Sequence, residues 1–468
     1  MAEVETNTTP AKPGGFKKKL ETFFKINENQ SSIKTEILAG ITSFMTMAYI
    51  IIVNPTILSN EYGANQEFSA ILFSTVIISF LMSVVMGFLS NNPYAVAPGM
   101  GLNAYISFSL IGGGTFTWEQ AMGAIIIAGA LLTIMSLTPI SSGVLKAIPK
   151  NLRFGLAAGI GVFLVFIGLH DSNFIVANEA TLVAMNTFNL EMGLFLFGLL
   201  FTALLMIKKV PGSFLIGIFV TSIIGIILSF SGLGVMIDPS FNAISFKDET
   251  GKVILMSTPN IDTFFRFSFK GLWKPAIIIP IFTLAFTDLF DSVSTFLGVS
   301  EVGGLLDEDG NPKNFKGTLV ADSLTTMMSG FFGTSDATTY IESAAGVEQG
   351  GRTGLTAIIT GLCFLPFMFF SPLLKAIPSY ATSPILILLG VLMFKPLMGI
   401  DWSDLEEALP AFIAVMMIPF TYSITNGIVF GIIIYVFIKV IVGKIKEINP
   451  WLWITFVFAI FALIAPLF

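Results

Sequence analysis

Apolar runs about 20 residues long recur from one end of this chain to the other. A run of that length is what an α-helix needs to cross a bilayer, where backbone N–H and C=O groups must be bonded within the protein. The 468 residues are 54% hydrophobic and only 12% charged, a balance foreign to soluble globular domains. A β-barrel would show short alternating segments instead. The chain is therefore read as an all-α polytopic membrane protein. One cysteine, Cys363, and one histidine, His170, exclude a disulfide framework, a structural zinc site and a haem with paired histidine ligands. No metal, no cofactor and no nucleic-acid partner is expected; the partner is the lipid bilayer.

Spanning segments in the first half are expected at 35–55, 68–89, 95–110, 119–139, 151–170, 190–207 and 212–232. Those of the second half are expected at 273–299, 315–331, 335–346, 353–371, 380–397, 406–422 and 425–444, and a further apolar run, 451–467, either re-enters or carries the C-terminus outside. Lys17, Lys18 and Lys19 precede the first segment; Lys146, Lys150 and Arg153 follow the fourth; Lys208 and Lys209 follow the sixth; "KIKE" follows the fourteenth. All fall on one side if the N-terminus is cytoplasmic, as the positive-inside rule requires. Residues 1–34 then form a cytoplasmic tail, polar and Pro/Gly-containing over its first fifteen, with no apolar stretch of a cleavable signal peptide. The polar stretch 233–272, with Asp238, Lys247, Asp248 and Glu249, becomes an external loop.

Fourteen segments in two sets of seven have opposite topologies, because seven is odd, and inverted repeats are a transporter signature. The third segment of each half is short and rich in small residues: "YAVAPGMGLNAYISF" and "GTSDATTYIESAAG". Paired broken segments of this kind point to a binding site at the membrane midplane; small residues alone would mean only close helix packing. The second carries Glu342, a costly residue at that depth.

The eighth segment, "IPIFTLAFTDLFDSVSTFLGV", spaces Asp288, Asp291 and Thr295 along one helical face. Two carboxylates so placed repel, so one is protonated or meets a cavity, a partner or water. In the tenth segment, Ser335, Thr338 or Thr339, and Glu342 are spaced as one polar helical face, with Asp336 as the cap of a half-helix. The third segment offers Asn103 and free N–H groups over Ala97 to Met100, Gly99 included. The first offers Phe44 as a stacking face, and Thr42, Ser43, Thr46 and Tyr49, whose hydroxyls either reach the site or bond their own helix. Carboxyls, an amide, backbone N–H groups and aromatic rings suit a flat, neutral heterocycle with N–H donors on its edge. The absence of a basic residue from these motifs argues against an anionic ligand. His170 beside Asp171 is read as interfacial, and "EVGGLLDEDGNPKNF" as a solvated turn whose spacing does not fit a calcium loop.

The motifs "EILAGITSFMTMAYIIIVNP", "APGMGLNAY", "DLFDSVSTFLGV", "GLLDEDG" and "TTYIESAAGVEQGGRTGLTA" resemble those of AzgA-like purine permeases, within the nucleobase–cation symporter group. The resemblance runs from Glu36 to the last segments. It implies a core domain (35–139 and 273–371, segments 1–4 and 8–11) moving against a gate domain (140–232 and 372–468, segments 5–7 and 12–14). It also implies short extended stretches in segments 3 and 10. The expected activity is import of adenine, guanine or hypoxanthine across the cytoplasmic membrane by proton symport, not catalysis. Asp288, Glu342, Asn103, Ala97, Gly99, Phe44, Thr339 and Thr295 are the expected binding residues, and Glu342 then Asp291 the expected proton carriers. A homodimer fits the same picture. Asp336 stands where the resembling sequences have a small or hydroxyl residue, and Glu348 and Gln349 where small residues are usual.

Overall fold

The computed structural model describes residues 15–138, 149–230, 255–307 and 311–464. Lys146, Asp238, Lys247, Asp248 and Glu249 lie outside these residues. Segment 1 is formed by two helices, Ile33–Met47 and Ile50–Leu58, joined at Ala48–Tyr49 by tightened i→i−3 bonds such as Ile51 N–H to Ala48 C=O. Segments 2, 4, 5, 6 and 7 are Phe68–Ser90, Trp118–Leu137, Lys150–Asp171, Leu190–Ile207 and Ser213–Phe230. Segments 8 and 9 are Pro275–Gly303 and Phe315–Phe332, and segment 11 is Gly354–Phe364 extended by the tighter turn Leu365–Phe369. Segments 12, 13 and 14 are Ser379–Leu392, Leu405–Thr421 and Ile424–Ile441. The last apolar run forms helix Pro450–Ile464, packed on segments 14 and 8. Among the described residues, eight helices are long and apolar enough to span a membrane, with shorter apolar ones at Met100–Gly112, Ser213–Ser229 and Gly354–Phe369. The chain is a polytopic, mostly helical membrane protein.

Among the described residues, four short strands interrupt the helices: β1 (Val96–Pro98), β2 (Ile175–Asn178), β3 (Leu182–Met185) and β4 (Ala337–Thr339). β2 and β3 form a hairpin between segments 5 and 6. β1 and β4 are the two broken segments, paired antiparallel with Val96 opposite Thr339 and Pro98 opposite Ala337. Each is extended for a local reason. Pro93 and Pro98 lack N–H groups and disfavour helix at the preceding residue. In segment 10, Gly333 ends segment 9 at φ +68° and turns the chain back, and the β-branched Thr338 and Thr339 then favour strand. Helix resumes at Met100–Ala104, continuing through a wider-turned Tyr105–Gly112, and at Ser343–Glu348. The two half-helices thus begin where the strands meet.

The helices pack in two groups. Segments 1, 2, 4, 8, 9, 10 and 11 pack among themselves, and segments 5, 6, 7, 12, 13 and 14 among themselves. In lipid, association relies on close backbone approach. Segment 4 meets segment 9 at Gly129, which faces the Met327 backbone, and at Gly330, which faces the Met122 carbonyl. Part of the expected tail is docked: after helix Gly15–Phe23, Phe24 and Ile26 are buried with Leu355. The described part of the expected loop, 255–272, is also packed. Arg266 pairs with Glu119 at 2.7 Å, the buried Thr263 hydroxyl bonds Ser74 at 2.8 Å, and Phe265 N–H reaches the Phe331 carbonyl.

Candidate functional site: a carboxylate where two broken segments meet

Glu342 occupies the turn between β4 and its half-helix, at φ −60° and ψ −17°. Its Oε1 accepts a 2.6 Å hydrogen bond from the Tyr49 hydroxyl, which the break in segment 1 delivers. Thr46 Oγ1 donates to the Glu342 carbonyl at 3.3 Å, as well as to the Ser43 and Thr42 carbonyls of its own helix. Thr42 bonds only its own helix, through the Leu38 carbonyl. Ser343 Oγ accepts from Ala95 N–H at 3.0 Å, and the Tyr340 hydroxyl donates to the Pro98 carbonyl. Gly346 lies against Ser43 Oγ and the Ala39 carbonyl, where a β-carbon would collide. The carboxylate is therefore held by segment 1, while the backbone around it is fixed by segment 1 and β1.

Asp291, Ser294 and Leu297 are exposed at three-residue spacing along segment 8, as are Ile341 beside Glu342 and Glu348 at the far end of the half-helix. By contrast, none of residues 281–290 is exposed. We read this exposed stretch as the lining of a cleft that opens toward the end of the molecule holding Ile33, Glu36 and Arg352, where Arg352 N–H donates to Glu36. The opposite end is closed by contacts between the two helix groups. There the Tyr105 and Thr425 hydroxyls bond each other, Ser109 Oγ donates to the Tyr422 carbonyl, and Thr425 Oγ1 reaches Thr283 Oγ1 at 3.3 Å.

Asp288 and Asp291 are neighbours on the helix but meet different surroundings. Asp288 is 0% exposed and turns toward segment 9, where the Thr326 hydroxyl donates to Oδ2 at 2.6 Å. Thr295, one turn beyond Asp291, is buried. The remaining expected residues are placed as follows. Ala97 lies in the strand ladder opposite Thr338. The Gly99 N–H is not free, as expected, but donates to the Asp336 carbonyl at 2.7 Å. Asn103 is fully buried; its Nδ2 donates to Asn54 Oδ1 at 3.2 Å and its Oδ1 has no partner. Phe44 packs edge-on against Phe364 at 5.1 Å and beside Phe367, so its ring is committed to segment 11. His170 is exposed, 3.4 Å from Asp171.

Two further sequence expectations are corrected. Asp336 caps no helix: it leads into β4, is 1% exposed, and neither carboxylate oxygen has a hydrogen-bond donor. Ser335, Thr338, Thr339 and Glu342 do not form one helical face, because the extended β4 separates them. Ser335 bonds Asn54 at 2.9 Å, whereas both threonines bond Asp322.

Asp322 and Asn54 were missed as organising residues. Asp322, 2% exposed in segment 9, accepts from Thr339 N–H and Thr339 Oγ1, each at 3.0 Å, from Thr338 Oγ1 at 3.4 Å and from the Ser292 hydroxyl. It pins β4 to segments 8 and 9. Asn54 ties Thr75, Thr334, Ser335 and Asn103 together. The available signal was a lone acid and a lone amide within apolar runs, each costly there unless bonded. An apolar cavity lined by Ile278, Phe282, Ile432 and Ala459 lies between segments 8 and 14 and the last helix, and none of these carboxylates lines it.

Residues 34–430 match the family model described as "Permease family". The guanine/hypoxanthine permease PbuO of Bacillus subtilis is 39% identical over 442 residues, covering 93% of this chain and 98% of PbuO. The adenine permease AdeP of Escherichia coli is 36% identical over 433 residues, covering 92% of this chain and 93% of AdeP. Among solved structures, the transmembrane domain of the cyanobacterial bicarbonate transporter BicA superposes with a TM-score of 0.62 at 16% identity, over 84% of this chain and 97% of that one.

Proposed function

Starting from the fact that this chain belongs to that permease family, we propose that it imports purine nucleobases across the cytoplasmic membrane by proton symport. The observation that carries this reading is the Glu342 carboxylate, held by Tyr49 at the junction of two broken segments, on the side where Asp291 and Ile341 are exposed. A carboxylate accepts from the edge N–H groups of a purine, and the same group in its protonated form carries the coupled proton. Asp291, exposed in the same cleft, is the second candidate for that proton. In this reading Asn103 and the start of the first half-helix complete the site. Asp288 reaches the base only by giving up Thr326 and turning out of the segment 8–9 interface. Purine permeases among the relatives support the substrate class.

The two packing groups support the division into core and gate, with segments 3 and 10 carried by the core. The antiparallel β1–β4 pair is what two inverted halves produce when corresponding segments meet. Closure at the Tyr105–Thr425 end and exposure at the Asp291 end correspond to an inward-facing state of alternating access, given a cytoplasmic N-terminus. Anion transport, the activity named for the bicarbonate transporter of similar fold, is not favoured, because the acceptors at the junction, Glu342 and Asp291, are carboxylates, and the nearby Arg153 guanidinium is stacked on the Phe290 ring at 5.3 Å.

The test is uptake of labelled adenine, guanine, hypoxanthine and uracil into cells making the protein, with and without a proton uncoupler. Saturable purine uptake that collapses with the uncoupler is expected. Absence of purine uptake refutes the substrate, and sodium-dependent uptake indifferent to the uncoupler refutes the coupling.

A further inference from the structure

We propose that the stretch from Gly15 to Lys34 is a docking surface for anionic phospholipid headgroups, in the leaflet at that end of the molecule. The chain as a whole has a net charge of −6, yet residues 15–34 hold five lysines against two glutamates. Lys17, Lys18, Lys19, Lys25 and Lys34 are all exposed. Lys17 reaches Glu21, and Lys25 reaches Glu28, only at 3.9 Å, the outer limit of an ion pair. Among the described residues, Lys18, Lys19 and Lys34 form no ion pair at all.

The apolar residues of the same stretch fix its depth. Phe24 and Ile26 are buried with Leu355 at the start of segment 11, and Leu20 packs against them. Asn91 ties these elements together, donating from Nδ2 to the Phe24 carbonyl and accepting from Gly354 N–H, each at 3.0 Å. Phe23 stands outside this seat. It is 60% exposed and meets edge-on, at 5.7 Å, the Phe88 ring, itself 52% exposed in the last turn of segment 2. Leu89 beside it is exposed, as are Ile37 and Leu38 near the start of segment 1. Apolar side chains exposed on spanning helices face lipid, so the hydrocarbon boundary runs at the level of this stretch. A helix that carries lysines and an exposed aromatic ring at that level lies in the interface, with the lysine stems along apolar surface and their ammonium groups among the headgroups. Charge selects the headgroup: clustered lysines beside a bilayer attract anionic lipid. A soluble anion would leave the Phe23–Phe88 face uncovered, and a neutral lipid would leave the lysines unpaired. An anionic phospholipid satisfies both.

The bound lipid would steady more than the stretch itself. Ser31 Oγ donates to the Gly350 carbonyl at 3.2 Å, and Ser32 Oγ caps segment 1 by accepting from Thr35 N–H at 3.1 Å. A headgroup that holds residues 15–34 therefore also holds the starts of segments 1 and 11. A ligand that binds only the folded state raises its stability by mass action. Neither the transported substrate nor the coupling ion enters this reading.

Native mass spectrometry of the full chain in detergent tests the surface, with titration by phosphatidylglycerol or by phosphatidylcholine of the same acyl chains. The wild type is expected to bind phosphatidylglycerol preferentially. Lys18→Gln, Lys19→Gln and Lys34→Gln combined should weaken its binding about fivefold for each lysine replaced. Arginine at the same three positions should keep the preference. Phe23→Ser should weaken binding with every lysine intact. Glycerol phosphate, which has the charge but no acyl chains, should not compete. Phosphatidylglycerol should raise the melting temperature of the wild type and of the arginine variant, and not that of the glutamine variant. Without added lipid all three should melt alike, because the replaced lysines are exposed and unpaired. A folded glutamine variant that binds phosphatidylglycerol as the wild type does would overturn the proposal. So would equal affinity of the wild type for the two lipids, and so would competition by glycerol phosphate, which would make the surface a site for soluble anions.

Discussion

Two sets of acids lie within a few helical turns of each other and live under opposite conditions. Glu342 and Asp291 border an accessible cleft, and Glu342 has a single side-chain donor, Tyr49. Asp288, Asp322 and Asp336 are buried in the interface of segments 8, 9 and 10, where Asp322 is saturated with donors and Asp336 has none. The contrast separates two jobs that residue type alone cannot distinguish. An acid meant to exchange a ligand keeps acceptor capacity facing open space. An acid meant to hold a strand in a helical interface spends that capacity on fixed donors. Asp322 is of the second kind: with no cross-strand neighbour beyond β1, the three-residue β4 depends on this carboxylate for its third side of support.

The largest effect expected from breaking this division is at Glu342. Glu342→Gln keeps the shape and one acceptor but loses the charge, and purine uptake should fall in kcat/KM by about 100-fold, the scale of a charge-assisted hydrogen bond. Thermal stability of the purified protein should be almost unchanged, because the cleft face is already open to solvent. Full uptake by this variant would remove Glu342 from the site. Asp322→Asn should show the reverse balance. Asparagine can still accept from Thr339 but presents an NH2 group where Asp322 accepts on its other oxygen from the Ser292 hydroxyl. Unfolding in detergent should reveal a loss of about 1–3 kcal/mol, the cost of leaving buried groups mispaired. Uptake should fall by about tenfold through misplacement of β4 and Glu342. An unchanged melting temperature with abolished uptake would move Asp322 into the exchanging set.

Tyr49→Phe probes the one bond that links the cleft acid to segment 1. Glu342 is only partly buried, so solvent can replace the 2.6 Å hydrogen bond that is removed, and the loss should be smaller. About a tenfold rise in KM with little change in maximal rate is expected. A fall in maximal rate at constant KM would instead make Tyr49 part of the conformational step.

Much of this architecture was legible because the bilayer imposes a length on every spanning helix and makes each break conspicuous. "APGMGLNAY" and "GTSDATTYIE" were legible as breaks through their small residues, the extended stretches only through the resemblance, and the β1–β4 ladder joins them residue by residue. What sequence could not supply was direction around a helix axis once three elements converge. Asp288 and Asp291 share a helical stripe, yet a small rotation turns one into the segment 9 interface and the other into the cleft. Asp336 resembled a cap because half-helices commonly start with Asp, but the helix begins only after Glu342, beyond a strand. Asp322 and Asn54 sat unremarked in ordinary apolar runs; their importance depends on partners 16 or more residues away, and for Asn54 up to 281. Periodicity carries no information about such partners.

The smallest predicted effect concerns Phe44, and it tests whether the cleft owes its selectivity to stacking on this ring. The ring meets Phe364 edge-on at 5.1 Å and Phe367 at 5.7 Å, on the side of segment 1 that faces segment 11. It is 7% exposed, which leaves little face for a purine to cover in this conformation. Phe44→Leu should therefore act through packing: a stability loss of about 1 kcal/mol from the broken aromatic pairs, and less than a threefold change in KM. Competition between labelled guanine and unlabelled adenine or uracil should give the same ranking as the wild type. A changed ranking at unchanged stability would show that the ring turns toward the cleft during transport, and would place segment 1 in base recognition through more than Tyr49.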